Sequence, residues 1–136
     1  MINNKDYILP EKNFNKVETN KKRIVIGSSF SIDMNHYIGW LNRYNGKYQK
    51  TAAYTIKLDG TICQHFDPKY YSIITNDEEF DKSTILIILE NEGWLSKDLN
   101  NENKYITYNG NIYNRVDEVF IKKWRSNRYW APYTQK

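Results

Sequence analysis

The sequence predicts an α/β domain in which a central mixed β-sheet is flanked by helices. Three observations carry that expectation. Thr84 to Leu89 reads TILIIL, six residues without a charge, as a central strand covered on both faces does. Two strand-like runs, Thr51 to Ile56 and Thr61 to Phe66, are joined through Lys57, Leu58, Asp59 and Gly60, where Asp-Gly supplies a turn with positive φ, so the pair reads as a hairpin. Between Ile32 and Tyr44, the residues Tyr37, Trp40, Leu41 and Tyr44 recur at spacings of three and four and mark the apolar face of a helix.

Taken in order, residues 1–20 form a polar arm broken by Pro10, with Tyr7, Ile8, Leu9 and Phe14 as the anchors that would hold it to a domain over 21–136. Arg23 to Ser31, RIVIGSSFS, is a β-branched run that ends at glycine and serines, as a buried strand does when it empties into a loop. Asn76 to Lys82 is an acidic loop ahead of the TILIIL strand, which stops at Glu90, Asn91, Glu92 and Gly93. Lys97 to Lys104, KDLNNENK, is the most loop-like stretch, too polar and too asparagine-rich to pack. Val116 to Trp124 reads as a short helix with Val116, Val119, Phe120 and Lys123 on one side. No internal repeat or long linker divides the chain, and 136 residues with 40% hydrophobic content suffice for one modest core.

The charge balance is mild. A net charge of +4 comes from basic residues that are scattered except at Lys21, Lys22 and Arg23 and between Lys122 and Arg128, where aromatics interleave with cations. A solvated helix face accounts for that second stretch, so nucleic acid is not an expected partner. Twelve tyrosines are either the usage of an AT-rich genome or a sticky contact surface, because tyrosine gives large amphipathic area at low entropic cost. The single cysteine, Cys63, forms no intramolecular disulfide. Cys63 and His65 are two apart on a predicted strand, so they share a face and could share a metal; the plainer reading is a half-buried thiol beside an edge histidine. His36 lies beside the apolar face of the predicted helix and reads as a surface residue. Ser28 and Ser29 have no histidine or lysine pattern to activate them, so a nucleophilic serine is not expected.

Several segments carry a resemblance to a known family. They are the strand Lys22 to Ile26, the stretch Ala53 to Tyr71 (AYTIKLDGTICQHFDPKYY), Asn91 to Leu95 (NEGWL), and the pair Tyr108 to Gly110 (YNG) and Lys123 to Gln135 (KWRSNRYWAPYTQ). In this order they resemble the lysine-led strand, the "AYxIxxDGxIxQxFDPKYW" segment, the "NxGxL" strand end and the "YxG" and "WRGxxYxxPYTxxQ" segments of a bacterial and phage branch of the zinc-dependent N-acetylmuramoyl-L-alanine amidases. That superfamily also contains the peptidoglycan recognition proteins. The resemblance covers roughly residues 8 to 135 and implies the strand order; the family's last helix would start about where this sequence stops, so the resemblance implies a C-terminally truncated member as the expectation.

For chemistry, the resemblance implies loss. A catalytic zinc needs three protein ligands and an open position for water. Gly27 stands where the family's first strand ends in a ligand histidine, and Ser28 where a second histidine or a cysteine often follows. Ala52 and Ala53 match a Tyr-His pair, Ile74 a histidine and Ile88 a strand glutamate, while the remaining two ligands would lie beyond the PYT segment. An isoleucine neither binds zinc nor moves a proton.

The chain is therefore expected to bind no metal or cofactor and to act through contacts, as a structural or accessory component of a phage particle docked on another protein or on a second copy of itself. Gly27, Ser28, Ser29, Tyr54, Tyr71 and Trp94 would form a degenerate cleft, filled or covered because Ala52, Ala53, Ile74 and Ile88 favour burial. Trp124, Tyr129, Trp130 and Tyr133 would be the buried partner contacts. One alternative is a non-catalytic peptidoglycan-binding module whose aromatic faces stack on sugars; another is an active amidase with a rebuilt or shared site. The opening residues lack an apolar run of signal-peptide length and no segment approaches a membrane span, so the expected location is the host cytoplasm or a phage particle, with no membrane partner.

Overall fold

A computed structural model describes residues 3–101, 103–107, 110–114, 120–121 and 129–131. The first sheet is built from β1 (Asn3–Asn4), β2 (Arg23–Ser28), β3 (Tyr54–Ile56), β4 (Ile62–Gln64) and β5 (Thr84–Leu89), in the order β1-β4-β3-β5-β2. β5 runs parallel to both β2 and β3, β3 and β4 are antiparallel, and β1 is parallel to β4, so the sheet is mixed. The β3–β4 hairpin turns as its sequence requires. Gly60 sits at φ 87°, the Lys57 N–H donates to the Thr61 carbonyl at 2.9 Å, and the Asp59 carboxylate accepts from the Thr61 N–H at 2.9 Å.

β5 has partners on both edges but is not covered along its whole length. Thr84 and Ile88 are buried, whereas Ile85, Leu86, Ile87 and Leu89 are half-buried. Ile24 and Ile26 of β2, the register partners of Ile85 and Ile87, are 61% and 55% exposed. They sit on the sheet's outer strand, where nothing among the described residues covers them.

Helix α1 (Asn35–Asn42) is shorter than the predicted Ile32–Tyr44. Phe30, Asp33 and Met34 adopt left-handed backbone with φ of 53°, 56° and 59°, which delays its start, and the Glu90 carboxylate accepts the Met34 N–H at 3.1 Å. Tyr44 and Asn45 also turn left-handed, so Tyr44, which the helical spacing placed on the apolar face, is 77% exposed. Trp40 is the buried residue of that face, with Tyr37 and Leu41 packed beside it.

The predicted acidic loop Asn76–Lys82 contains a single helical turn, α2 (Glu78–Lys82). Asp77 caps it by accepting from the N–H groups of Glu79 and Phe80 at 3.1 and 3.3 Å, a side-chain cap that satisfies otherwise orphaned donors. Asp81 is buried and accepts from both the N–H and the hydroxyl of Thr75 at 2.9 Å.

The N-terminal arm belongs to the same core as the domain. Leu9 and Phe14 join Trp40, Ala53, Phe66 and Ile88 in one cluster, and Phe14 stacks on Phe66 at 4.6 Å between ring centroids. Ile8, read as an anchor, is 45% exposed, and the anchor that sequence reasoning missed is Asn13. Its buried side-chain amide donates to the carbonyls of Trp40, Gly46 and Tyr48, and its backbone carbonyl accepts from the Thr51 hydroxyl at 2.8 Å.

A second sheet was not legible in the sequence. β6 (Trp94–Lys97), β7 (Lys104–Ile106), β8 (Ile112–Asn114), β9 (Phe120–Ile121) and β10 (Tyr129–Trp130) pair antiparallel in the order β8-β7-β6-β10-β9. Leu95, Tyr105 and Ala131 form its buried core. The predicted helix Val116–Trp124 is corrected at Phe120 and Ile121, which are strand because they pair with β10; 115–119 and 122–128 lie outside the described residues. Among the described residues no helix is long and apolar enough to cross a membrane.

The sheets meet at Glu90–Gly93. Gly93 has φ 81°, and a Cβ there would lie 2.5 Å from Cδ1 of Phe30. Gly93→Ala should therefore cost about 2 kcal/mol from left-handed strain and displacement of the Phe30 ring. Urea unfolding checks this through a lower midpoint at unchanged slope; an unchanged midpoint would show that the turn relaxes freely.

Candidate functional site

Where the parallel strands β2 and β5 end, the chain leaves a cleft of about 580 Å³ between the sheet and α1. Leu86 and Ile88 of β5 lie at its base, the loop Ser28 to Ser31 forms one wall, and His36 and Trp40 of α1 form another. Glu92 and Trp94 enter from the start of the second sheet, and the exposed cations Arg43 and Lys50 stand at its margin. Phe30 and Trp94 are half exposed, at 50% and 48%, with ring centroids 6.4 Å apart.

Consecutive loop residues are tied down by hydrogen bonds. The Ser29 hydroxyl donates to the Ser31 carbonyl at 2.6 Å and accepts the Asn91 N–H at 3.1 Å. Ser31 and Asn91 form a β-bridge, so the two strand-end loops are joined to each other. This fixes Ser29 as a structural hydroxyl.

The sequence-predicted cleft residues are divided by the structure. Ser28, Ser29 and Trp94 line the cleft. Gly27 lies beneath it: a Cβ there would meet Cδ1 of Ile88 at 3.0 Å and Cδ1 of Leu86 at 3.7 Å. Tyr54 instead packs against the main core cluster. Tyr71 bridges Asn15 through the backbone and lines a separate cavity of about 290 Å³. Ala52, Ala53 and Ile88 are buried and Ile74 is half-buried, but of these four only Ile88 lines the cleft, which the described residues of this chain leave unfilled. Of the expected partner contacts, Trp124 and Tyr133 lie outside the described residues. Tyr129 is half-buried against Tyr105, ring centroids 4.5 Å apart, and Trp130 is half-buried.

Zinc finds no fit at the position the family resemblance gives it, because hydrocarbon from Leu86 and Ile88 surrounds Gly27. Among the described residues no three His, Cys, Asp or Glu side chains come together as ligands.

Both histidines differ from their sequence reading. His65 is fully buried, and so is Cys63, whose thiol burial pushes up. His36 is no surface side chain: its Nε2 lies 2.9 Å from the Thr55 hydroxyl, which lies 2.7 Å from Nε2 of His65, whose Nδ1 lies 2.8 Å from the Tyr7 carbonyl. Burial lowers both pKa values to about 4, with the neighbouring His65 adding to the effect on His36, so both rings are neutral at pH 7.

Neutrality fixes the tautomers along this chain. A carbonyl only accepts, so His65 carries its proton on Nδ1 and accepts at Nε2. The Thr55 hydroxyl donates to it and accepts from Nε2–H of His36, which leaves Nδ1 of His36 as a bare, buried lone pair without a partner among the described residues. The arm, through the Tyr7 carbonyl, thus sets the proton position on a residue of the cleft wall.

Glu90, Asn91 and Glu92 are the functional residues that sequence reasoning passed over. All three are buried. The signal was their position, three polar residues directly after an uncharged strand, where a solvated turn is the ordinary expectation.

No protein-family model, curated protein or solved structure matches this chain.

Two outcomes follow from the histidine pair. The folded chain keeps both rings neutral down to about pH 4, while the unfolded chain takes up protons near 6.5. Stability is thus full above that higher value and falls as pH drops from it toward 4, by roughly 3 kcal/mol per histidine. Urea titrations across this window check it, and a flat profile would contradict the neutral pair. Thr55→Val keeps the shape, removes the hydroxyl and strands both Nε2 atoms; a loss of about 2–4 kcal/mol is expected in the same assay.

Proposed function

We propose that this chain is a non-catalytic binding module of the zinc-amidase and peptidoglycan-recognition type, which holds a cell-wall glycopeptide in the cleft between β5 and α1. The observation that carries this reading is where the cleft opens: at the carboxyl ends of parallel strands, the place where open α/β sheets gather their ligand loops. Its make-up supports the same reading. Exposed Phe30 and Trp94 offer flat apolar faces for sugar rings, and a few polar groups between them set orientation. Its ionisable groups are held by the scaffold, His36 through Thr55 and Glu92 through the second sheet, which suits binding better than proton transfer to a substrate.

A second reading is favoured by one further observation, the exposed pair Ile24 and Ile26. An apolar strip on an outer strand suits attachment to another protein, as an accessory of a phage particle would need. The two roles use different surfaces and are compatible.

Co-sedimentation with purified peptidoglycan tests the first reading. The chain should pellet with the polymer, Trp94→Ala should weaken that by about tenfold, and no soluble muropeptides should appear. Absence of pelleting would overturn it, and release of muropeptides would replace a binder with an enzyme.

A further inference from the structure

Glu92 is the least explained group at the cleft. Its side chain is 2% exposed, and one oxygen, Oε1, accepts from Nδ2 of Asn111 at 3.0 Å and from the Tyr113 hydroxyl at 3.1 Å. The other oxygen, Oε2, is buried and has no partner among the described residues. No lysine, arginine or histidine among those residues forms an ion pair with it. A carboxylate withdrawn from water without a counter-charge is costly, and neutral donors on one oxygen offset only part of that cost. The scaffold nevertheless builds around it: Asn111 and Tyr113 come from the β7–β8 hairpin, and Gly93 beside it lets Phe30 close against the turn.

The surroundings say what would complete the site. Phe30 and Trp94 flank the same turn and expose ring surface to the cleft. A buried carboxylate next to aromatic faces is the environment that selects an organic cation, since the carboxylate supplies charge-assisted hydrogen bonding and the rings supply cation–π attraction. The lone pair deficit is one oxygen, which matches an ammonium better than the two-pronged guanidinium.

We propose that Glu92, with Phe30 and Trp94, binds an alkylammonium group of the ligand. For a cell-wall glycopeptide this is a side-chain amine of its peptide; that identification rests on the proposed function, whereas the amine site does not.

The full chain can be titrated calorimetrically with three probes: muropeptides bearing a free side-chain amine, the same muropeptides N-acetylated there, and free cadaverine. Wild type should prefer the free amine over the acetylated form by about tenfold, and Glu92→Gln should abolish the preference. Glu92→Gln should also melt no lower than wild type without ligand, since it removes a buried charge and keeps an acceptor for Asn111 and Tyr113. Equal wild-type affinity for both muropeptides overturns the amine site and leaves the glycopeptide reading standing. Cadaverine binding lost in Glu92→Gln, with neither muropeptide bound, supports the amine site and overturns the glycopeptide reading. No binding of any probe overturns both. The wild-type comparison needs no variant, so a Glu92→Gln chain that fails to fold does not rescue the proposal.

Discussion

Three consecutive buried polar side chains hold this molecule together. Glu90 takes the N–H of Met34 and so starts α1, Asn91 donates to the Ala131 carbonyl and so docks β10, and Glu92 takes Asn111 and Tyr113 and so seats the β7–β8 hairpin. Each reaches a different element, and together they join two sheets that share no strand. Apolar contact alone could not impose this geometry, because hydrophobic burial is non-directional, whereas a buried polar group accepts only the partner that satisfies it. The cleft exists at this junction for the same reason. Its walls come from three elements whose spacing is set by hydrogen bonds to one short segment.

A second polar chain reaches the first turn of α1. Tyr7, His65, Thr55 and His36 run from the arm to the helix, and Asn13 ties the arm again to the carbonyls that close α1 and its following turn. The helix is short, eight residues, and too brief to be stable by itself. It persists because both ends are fixed by groups distant in sequence. The described part of the arm, residues 3–20, therefore acts as part of the cleft's framework.

What the sequence made legible follows from how local each cause was. The β3–β4 hairpin was readable because Asp59 and Gly60 specify their turn by themselves, and β5 because six uncharged residues leave little choice. The centre of α1 was readable from Trp40 and Leu41, but its ends were not, since Glu90 lies far along the chain from Met34. The second sheet escaped because its strands are only two to four residues long and are separated by polar loops, with Asn100 and Asn103 in side-chain-closed turns that look like plain loop. Glu92 escaped for a related reason: a glutamate after a strand looks solvated until the hairpin that buries it is in place. His36 and His65 were misread because their burial depends on the Thr55 hydroxyl between them.

β2 closes the first sheet on one side, and its outer backbone groups face no strand among the described residues. A sheet border of this kind, apolar at Ile24 and Ile26, is a template on which a foreign extended segment could register and stack. The cations at its entrance are committed locally: Lys21 donates to the Lys82 carbonyl and Arg23 lies over the Phe80 ring. Lys21, Lys22 and Arg23 all keep their charge, and Lys22 and Arg23 are exposed, so like-charge repulsion at this entrance opposes such growth and colloidal behaviour should be more sensitive to these cations than to the overall charge.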